Sequence, residues 1–157
     1  PPAPDVVMKL SELMQSVLYE VKEPRVSLLK AINYLHRYLE LEKLRYGERV
    51  KSEINIDGDI DEVEIPPLIF LPFVENCFKH GVKKQGDIKV NINFAVRDKF
   101  LYFSVENSLD ELRDSAPRHG IGIENVKRRL DLLYGKKYKL NTNSTDEMFK
   151  VSLKLPL

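Results

Sequence analysis

Three segments in the second half of the chain alternate strictly between apolar and polar residues, and that pattern restricts the fold more than any other feature. Ile88, Val90, Ile92 and Phe94 alternate with Lys89, Asn91 and Asn93. Leu101, Phe103 and Val105 alternate with Tyr102, Ser104 and Glu106. Phe149, Val151, Leu153 and Leu155 alternate with Lys150, Ser152 and Lys154. A period of two with one polar face describes strands buried on one side only. Arg97-Asp98-Lys99 is short enough to join the first two as a hairpin. A further strand is expected over Val50–Ile56, followed by the acidic turn Asp57-Gly58-Asp59.

Helices must cover the apolar face. The apolar run Leu68–Gly81 follows Pro66-Pro67, and the second proline suits a first helical turn. Pro72 fits the same helix if it lies within that turn. Another helix is expected over Gly122–Tyr134, after the polar loop Leu109–His119, with Gly135 closing it. Two more helices come first. Asp5 can cap a helix over Val6–Val21, in which Val7, Leu10, Leu13, Met14, Val17 and Leu18 recur at helical spacing until Pro24 breaks it. Ser27 caps the next, where Leu28, Ile32, Leu35 and Leu39 share one face and Gly47 ends the run. This pair suggests an antiparallel hairpin or part of a bundle, with too little chain to bury both faces. The expected fold is α+β: a two-layer α/β sandwich, a mixed sheet with helices on one face, preceded by a helical hairpin. The division falls near residue 48, giving residues 1–48 and 49–157.

Charge narrows the partners. Twenty-five basic residues face 24 acidic ones, for a net charge of +1. A nucleic-acid binder carries a larger excess or a basic stripe, so no nucleic acid is expected. Lys127-Arg128-Arg129 and Lys136-Lys137 read as a solvated helix face and a turn. The single cysteine, Cys77, excludes an internal disulfide and reads as a small buried side chain. No apolar stretch reaches the roughly 20 residues of a bilayer span, so no membrane contact by these residues is expected. The chain opens Pro1-Pro2-Ala3-Pro4 without an initiator methionine, and it is expected to be a piece of a longer protein.

Two segments carry candidate chemistry. Asn76, Lys79 and His80 fall at i, i+3 and i+4, on one helical face. That face offers a neutral oxygen ligand, a cation and an imidazole. Mg²⁺ takes few protein oxygens, with phosphates and waters completing its shell, and lysine supplies a point charge for phosphate. The same spacing also describes the exposed face of an ordinary amphipathic helix. Gly120 and Gly122 flank Ile121 and lead into a helix. Small residues let backbone N–H groups approach a ligand, and a helix N-terminus favours phosphate. A tight loop entering a helix reads the same way.

Their conjunction is more specific. An asparagine helix, a hairpin, a polar loop and a glycine-led helix follow the order of the gyrase, heat-shock chaperone, histidine kinase and MutL ATPase superfamily. Within it, the sequence resembles the LytS-type sensor histidine kinases. The resemblance runs from Lys9–Met14 through Tyr38–Tyr46, Ile65–Pro67 and Phe73–Asn76. It continues over Gly120–Leu130 and Leu133–Gly135 to Leu155-Pro156.

The resemblance implies the histidine-kinase-type ATP-binding fold, with ATP and Mg²⁺ as ligands. It implies that Asn76 is the Mg²⁺ ligand, and that Lys79 and His80 lie near the nucleotide phosphates and sugar. Gly120, Ile121 and Gly122 would form the second glycine box, at the base of a lid over ATP formed by Leu109–His119. The γ-phosphoryl group would pass to a histidine on a dimeric helical bundle, then to an aspartate on a response regulator receiver domain. Residues 1–48 would then be a remnant of the dimerisation and phosphoacceptor region. The parent would be a bacterial homodimeric sensor in the inner membrane, with this part in the cytoplasm.

Two departures from the family pattern stand out. The family's first glycine box carries an aspartate that reads the adenine amino group; the register of Leu101, Phe103 and Val105 places Asn107 there. Asn107 keeps an acceptor without the charge, and Glu106, one residue off register, points the other way. The family's Pro-His-Phe phosphoacceptor motif is missing; the histidines are His36, His80 and His119, so the acceptor is expected upstream. The alternative function is a degenerate, non-catalytic nucleotide-binding or dimerisation module.

Overall fold

The computed structural model describes residues 3–20, 24–80, 86–108 and 121–157. The expected lid, Leu109–His119, and Gly120 lie outside the described residues. The chain forms two compact units: Pro1–Val50 with Ile60–Leu71, and Lys51–Asp59 with Pro72–Leu157.

The first unit is built on two helices, α1 (Ala3–Glu20) and α2 (Leu28–Tyr46). The α2 termini are set by their sequence. The Ser27 side chain accepts a hydrogen bond from the Lys30 N–H, and the Gly47 N–H, at φ 69°, donates to the Lys43 carbonyl. A short strand before α2, β1 (Val26–Ser27), pairs antiparallel with β3 (Glu64–Ile65), Val26 facing Ile65. Leu28, Ile32, Leu35 and Leu39 are buried along α2, as their spacing predicts. The pattern of α1 is less fully used. Leu13 is buried, whereas Val7, Met8, Leu10 and Met14 are exposed. One neighbouring helix covers only part of an apolar stripe, and Lys9 ties the pair with a 2.8 Å ion pair to Glu40.

The second unit contains a five-stranded sheet. After β2 (Val50–Asp57) come helix α3 (Leu71–His80) and strands β4 (Ile88–Arg97) and β5 (Phe100–Ser108). Helix α4 (Ile121–Tyr134) leads to β6 (Lys139–Ser144) and β7 (Met148–Pro156). The strand order is β2-β4-β5-β7-β6, and β4–β5, β5–β7 and β6–β7 are antiparallel. β2 and β4 run in parallel. Asn55 hydrogen-bonds Asn91 and Asn93, while Gly58 abuts Val96, so numbering rises together along both strands. The sheet is therefore mixed, as expected.

Every apolar residue of the three alternating segments is buried. Phe73, Val74, Cys77 and Phe78 of α3 and Ile123, Val126 and Leu130 of α4 are buried too. Phe103 is central: its ring centroid lies 6.0 Å from that of Phe73 and 5.2 Å from that of Phe94. Burial pushes the Cys77 thiol up to about 12 and leaves it a packing residue.

Helix α3 starts three residues later than the apolar run suggests. Leu68 has φ 59°, a left-handed conformation that cannot enter a right-handed helix, so the first turn forms at Leu71. Pro72 then sits in that first turn, where its missing N–H costs nothing. Gly58, at φ 92°, is required by contact: a Cβ there would lie 2.5 Å from the Val96 carbonyl oxygen.

Candidate functional site

Helix α3 buries Phe73, Val74, Cys77 and Phe78 on one side and exposes Lys79 on the other. At about 100° per residue, Asn76 falls about 60° from both Phe73 and Lys79. It occupies the flank of the buried face and is only 6% exposed. Lys79 is solvent-facing and lies 3.8 Å from Glu75, an i,i+4 pair open to water and worth little to stability. His80 is the last residue of the helix; its side chain lies outside what is described.

Asn107 closes β5 on the covered side of the sheet, in step with Leu101, Phe103 and Val105 and opposite Val90 and Phe149. It is 3% exposed. The Asn107 Nδ2 donates to the Ser108 carbonyl at 3.1 Å. That bond orients the amide: one of the two Nδ2 hydrogens is given to the backbone, and Oδ1 is the acceptor. Ser108 is buried as well, and its Oγ accepts from the Lys89 N–H at 3.1 Å. Ser108 belongs to this polar strand end, yet nothing in the sequence marks it beyond its place after Asn107. Glu106 points to the opposite face, as the period of two requires.

Helix α4 begins at Ile121, whose side chain is outside what is described. Gly122 lies in its first turn. A Cβ on Gly122 would meet the Pro72 Cβ at 3.7 Å, an ordinary contact, so the first turns of α3 and α4 are neighbours. Among the described residues, packing does not demand a glycine at 122.

Of all described residues, four polar or charged ones are buried: Glu42, Asn76, Asn107 and Ser108. Burying an amide is costly unless it is satisfied, so two predicted site residues in so short a set is informative. Among the described residues, no three His, Cys, Asp or Glu side chains could together hold a metal ion. A cation beside Asn76 would draw its remaining ligands from phosphate and water, the usual habit of Mg²⁺.

Comparison with known proteins bears on the fold and on what the chain is similar to. The histidine kinase family model matches residues 1–50. The sensor protein LytS of Bacillus subtilis (strain 168) is 30% identical over 166 residues, covering 97% of this chain and 28% of that protein. The chain therefore spans little more than a quarter of that relative's length. The histidine kinase domain of the Erythrobacter litoralis EL346 blue-light activated histidine kinase superposes with a TM-score of 0.63 at 19% identity, over 98% of this chain and 80% of that one. The catalytic domain of histidine kinase ThkA gives 0.62 at 12% identity, over 84% and 93%. A ThkA structure in complex with the response regulator protein TrrA gives 0.53 at 13% identity, over 98% and 48%.

Proposed function

Because this chain is a relative of the LytS-type sensor histidine kinases and carries the fold of histidine kinase catalytic domains, we propose that it binds ATP with Mg²⁺ and transfers the γ-phosphoryl group to a histidine. The observation that carries this reading is the burial of Asn76 and Asn107, two amides at the positions where the family places its metal ligand and its adenine reader. Residues 49–157 are the nucleotide-binding part, and residues 1–48 belong to the dimerisation and phosphoacceptor region. The acceptor histidine lies upstream of this chain. The second recipient is the receiver domain of a response regulator, a reading supported by the likeness to ThkA, which has been solved with such a partner.

Each residue has a role under this reading. Asn76 Oδ1 holds Mg²⁺, whose charge offsets that developing on the phosphoryl oxygens. Lys79, on the same helix and already at the surface, is free to swing from Glu75 to a phosphate. His80 follows it in sequence, at the position that the resemblance assigns to the neighbourhood of the phosphates and sugar. Ile121 and Gly122 present backbone N–H groups to the phosphates at the start of α4, and the resemblance assigns Gly120 to the same glycine box. Among the described residues nothing in the packing demands a glycine at 122, which is compatible with close approach of a ligand there. Asn107 offers Oδ1 to the adenine amino group.

Thermal unfolding with ATP tests this directly. Millimolar ATP should raise the melting temperature when Mg²⁺ is present, through ligand linkage, and much less in EDTA. Asn76→Ala should remove most of the shift while leaving the unliganded melting temperature nearly unchanged. Absence of any shift in the parent chain would favour the non-catalytic module.

A further inference from the structure

We propose that the open face of the sheet carries a second binding site, for a small organic anion with at least two acidic groups, centred on Lys139 and Lys154. A cleft of about 390 Å³ lies there, within the range of about 300–1,000 Å³ typical of small-molecule sites. Among the described residues, none of those assigned to the nucleotide site lines it.

The strand register builds it. One cross-strand row runs Asn93, Ser104, Ser152, Asn141, all small and polar. The next row runs Ala95, Tyr102, Lys154, Lys139. The first is a low polar floor, in which Asn93 already accepts from Asn55 and donates to Ser104, and the second is a taller wall. Arg97, already paired with Asp57 at 3.4 Å, completes the lining, and among the described residues no carboxylate lines the cleft itself.

Lys139 and Lys154 face each other directly across β6 and β7. Like charges in that position repel, and sheets normally avoid them. The other adjoining row shows the ordinary solution, with Glu106 opposite Lys150. Neither Lys139 nor Lys154 makes an ion pair among the described residues. Lys154 is also positioned: its Nζ stands 4.3 Å from the Phe100 ring centroid and 5.5 Å from that of Tyr102. Two uncompensated ammonium groups beside an amide and hydroxyl floor fit a ligand with two acids. Tyr102, 39% exposed, gives its carbon skeleton a flat surface. Solvated surface lysines would explain the charges alone; they explain neither the direct pairing nor the exclusion of acids.

Fructose 1,6-bisphosphate and citrate are the probes, added without Mg²⁺ to the ¹⁵N-labelled chain and followed by amide chemical shifts. At least one should move the amides of Tyr102, Asn141 and Ser152, and the arm that binds tells phosphate from carboxylate. The double substitution Lys139→Gln with Lys154→Gln should weaken that probe at least tenfold. Lys139→Arg with Lys154→Arg should retain it, and Asn76→Ala should leave it unchanged. The proposal is overturned if neither probe shifts these amides, if the shifts map to α3 and α4, or if the glutamine pair titrates like the parent.

Discussion

The two faces of the five-stranded sheet follow opposite rules. On the covered face Ile92, Phe94, Leu101, Phe103, Val151 and Leu153 are each 2% exposed or less, and Asn107 is the polar exception. On the open face asparagine, serine, lysine and tyrosine are the norm. A polar group is costly on the first face and unremarked on the second. Asn107 is therefore informative by its presence, whereas on the open face information lies in imbalance, as in a lysine pair with no acid beside it.

The largest test of this contrast is a pair of neighbouring substitutions on β5. Phe103→Ala should cost about 3–5 kcal/mol, because it empties a site packed by Phe73 and Phe94. Tyr102→Ala, one residue away on the open face, should cost about 1 kcal/mol or less. Urea unfolding of both variants checks this. Equal losses would mean that the open face is itself covered by something that holds Tyr102.

Asn107→Asp should have the next largest effect, and it separates binding from stability. The amide nitrogen that donates to the Ser108 carbonyl would become an oxygen facing an oxygen. Burial and that repulsion would both hold the new carboxyl above its ordinary range. The sign follows: a carboxyl raised in the folded state matches the parent at low pH and loses stability as pH rises past about 4. At neutral pH the loss should be about 1–3 kcal/mol. The charged acceptor should nonetheless raise the ratio of ATP to GTP affinity, since guanine offers an oxygen where adenine offers an amino group. Denaturation against pH, with both nucleotides titrated at neutral pH, reads the two effects. Stability independent of pH would show that the Asn107 side chain does not face the Ser108 carbonyl.

What the sequence made legible follows the same division. The three strictly alternating strands and the registers that put Asn107 inward and Glu106 outward could be read directly, because burial on one face writes itself as a period of two. β6 could not. Lys139–Ser144 is an edge strand with little burial, so KLNTNS carries no alternation, and it exists because β7 offers it a partner. β1 and β3 are two residues each, too short for any period. The late start of α3 depends on the left-handed Leu68, which no apolar pattern encodes. At the site, the spacing of Asn76, Lys79 and His80 was visible from the start. Spacing alone could not tell that Asn76 is buried and Lys79 is not, since that depends on where the helix lies against its neighbours.

The smallest expected effect lies on the open face and needs no ligand. Lys139 and Lys154 are direct cross-strand neighbours, and such side chains start about 4.5–5.5 Å apart at Cβ. Their repulsion is softened by water and by freedom of the exposed Lys139 side chain to lean away. Lys154 has less freedom, because its ammonium rests over Phe100 and Tyr102. Lys139→Gln removes one charge, keeps the length of the side chain near the original, and leaves the cation–aromatic contact intact. It should stabilise the unliganded chain by about 0.2–1 kcal/mol at low ionic strength. The gain should shrink toward zero near 1 M salt, where the screening length falls to about 3 Å. Lys150→Gln is the control: it removes a lysine that faces Glu106 across β5 and β7, so it should destabilise slightly under the same low-salt conditions. Opposite signs for the two substitutions, converging as salt is added, would establish the charge imbalance of this face. The same sign for both would mean that neither cross-strand pair is electrostatically coupled, and the open face would then be a solvated surface without a preference for anions.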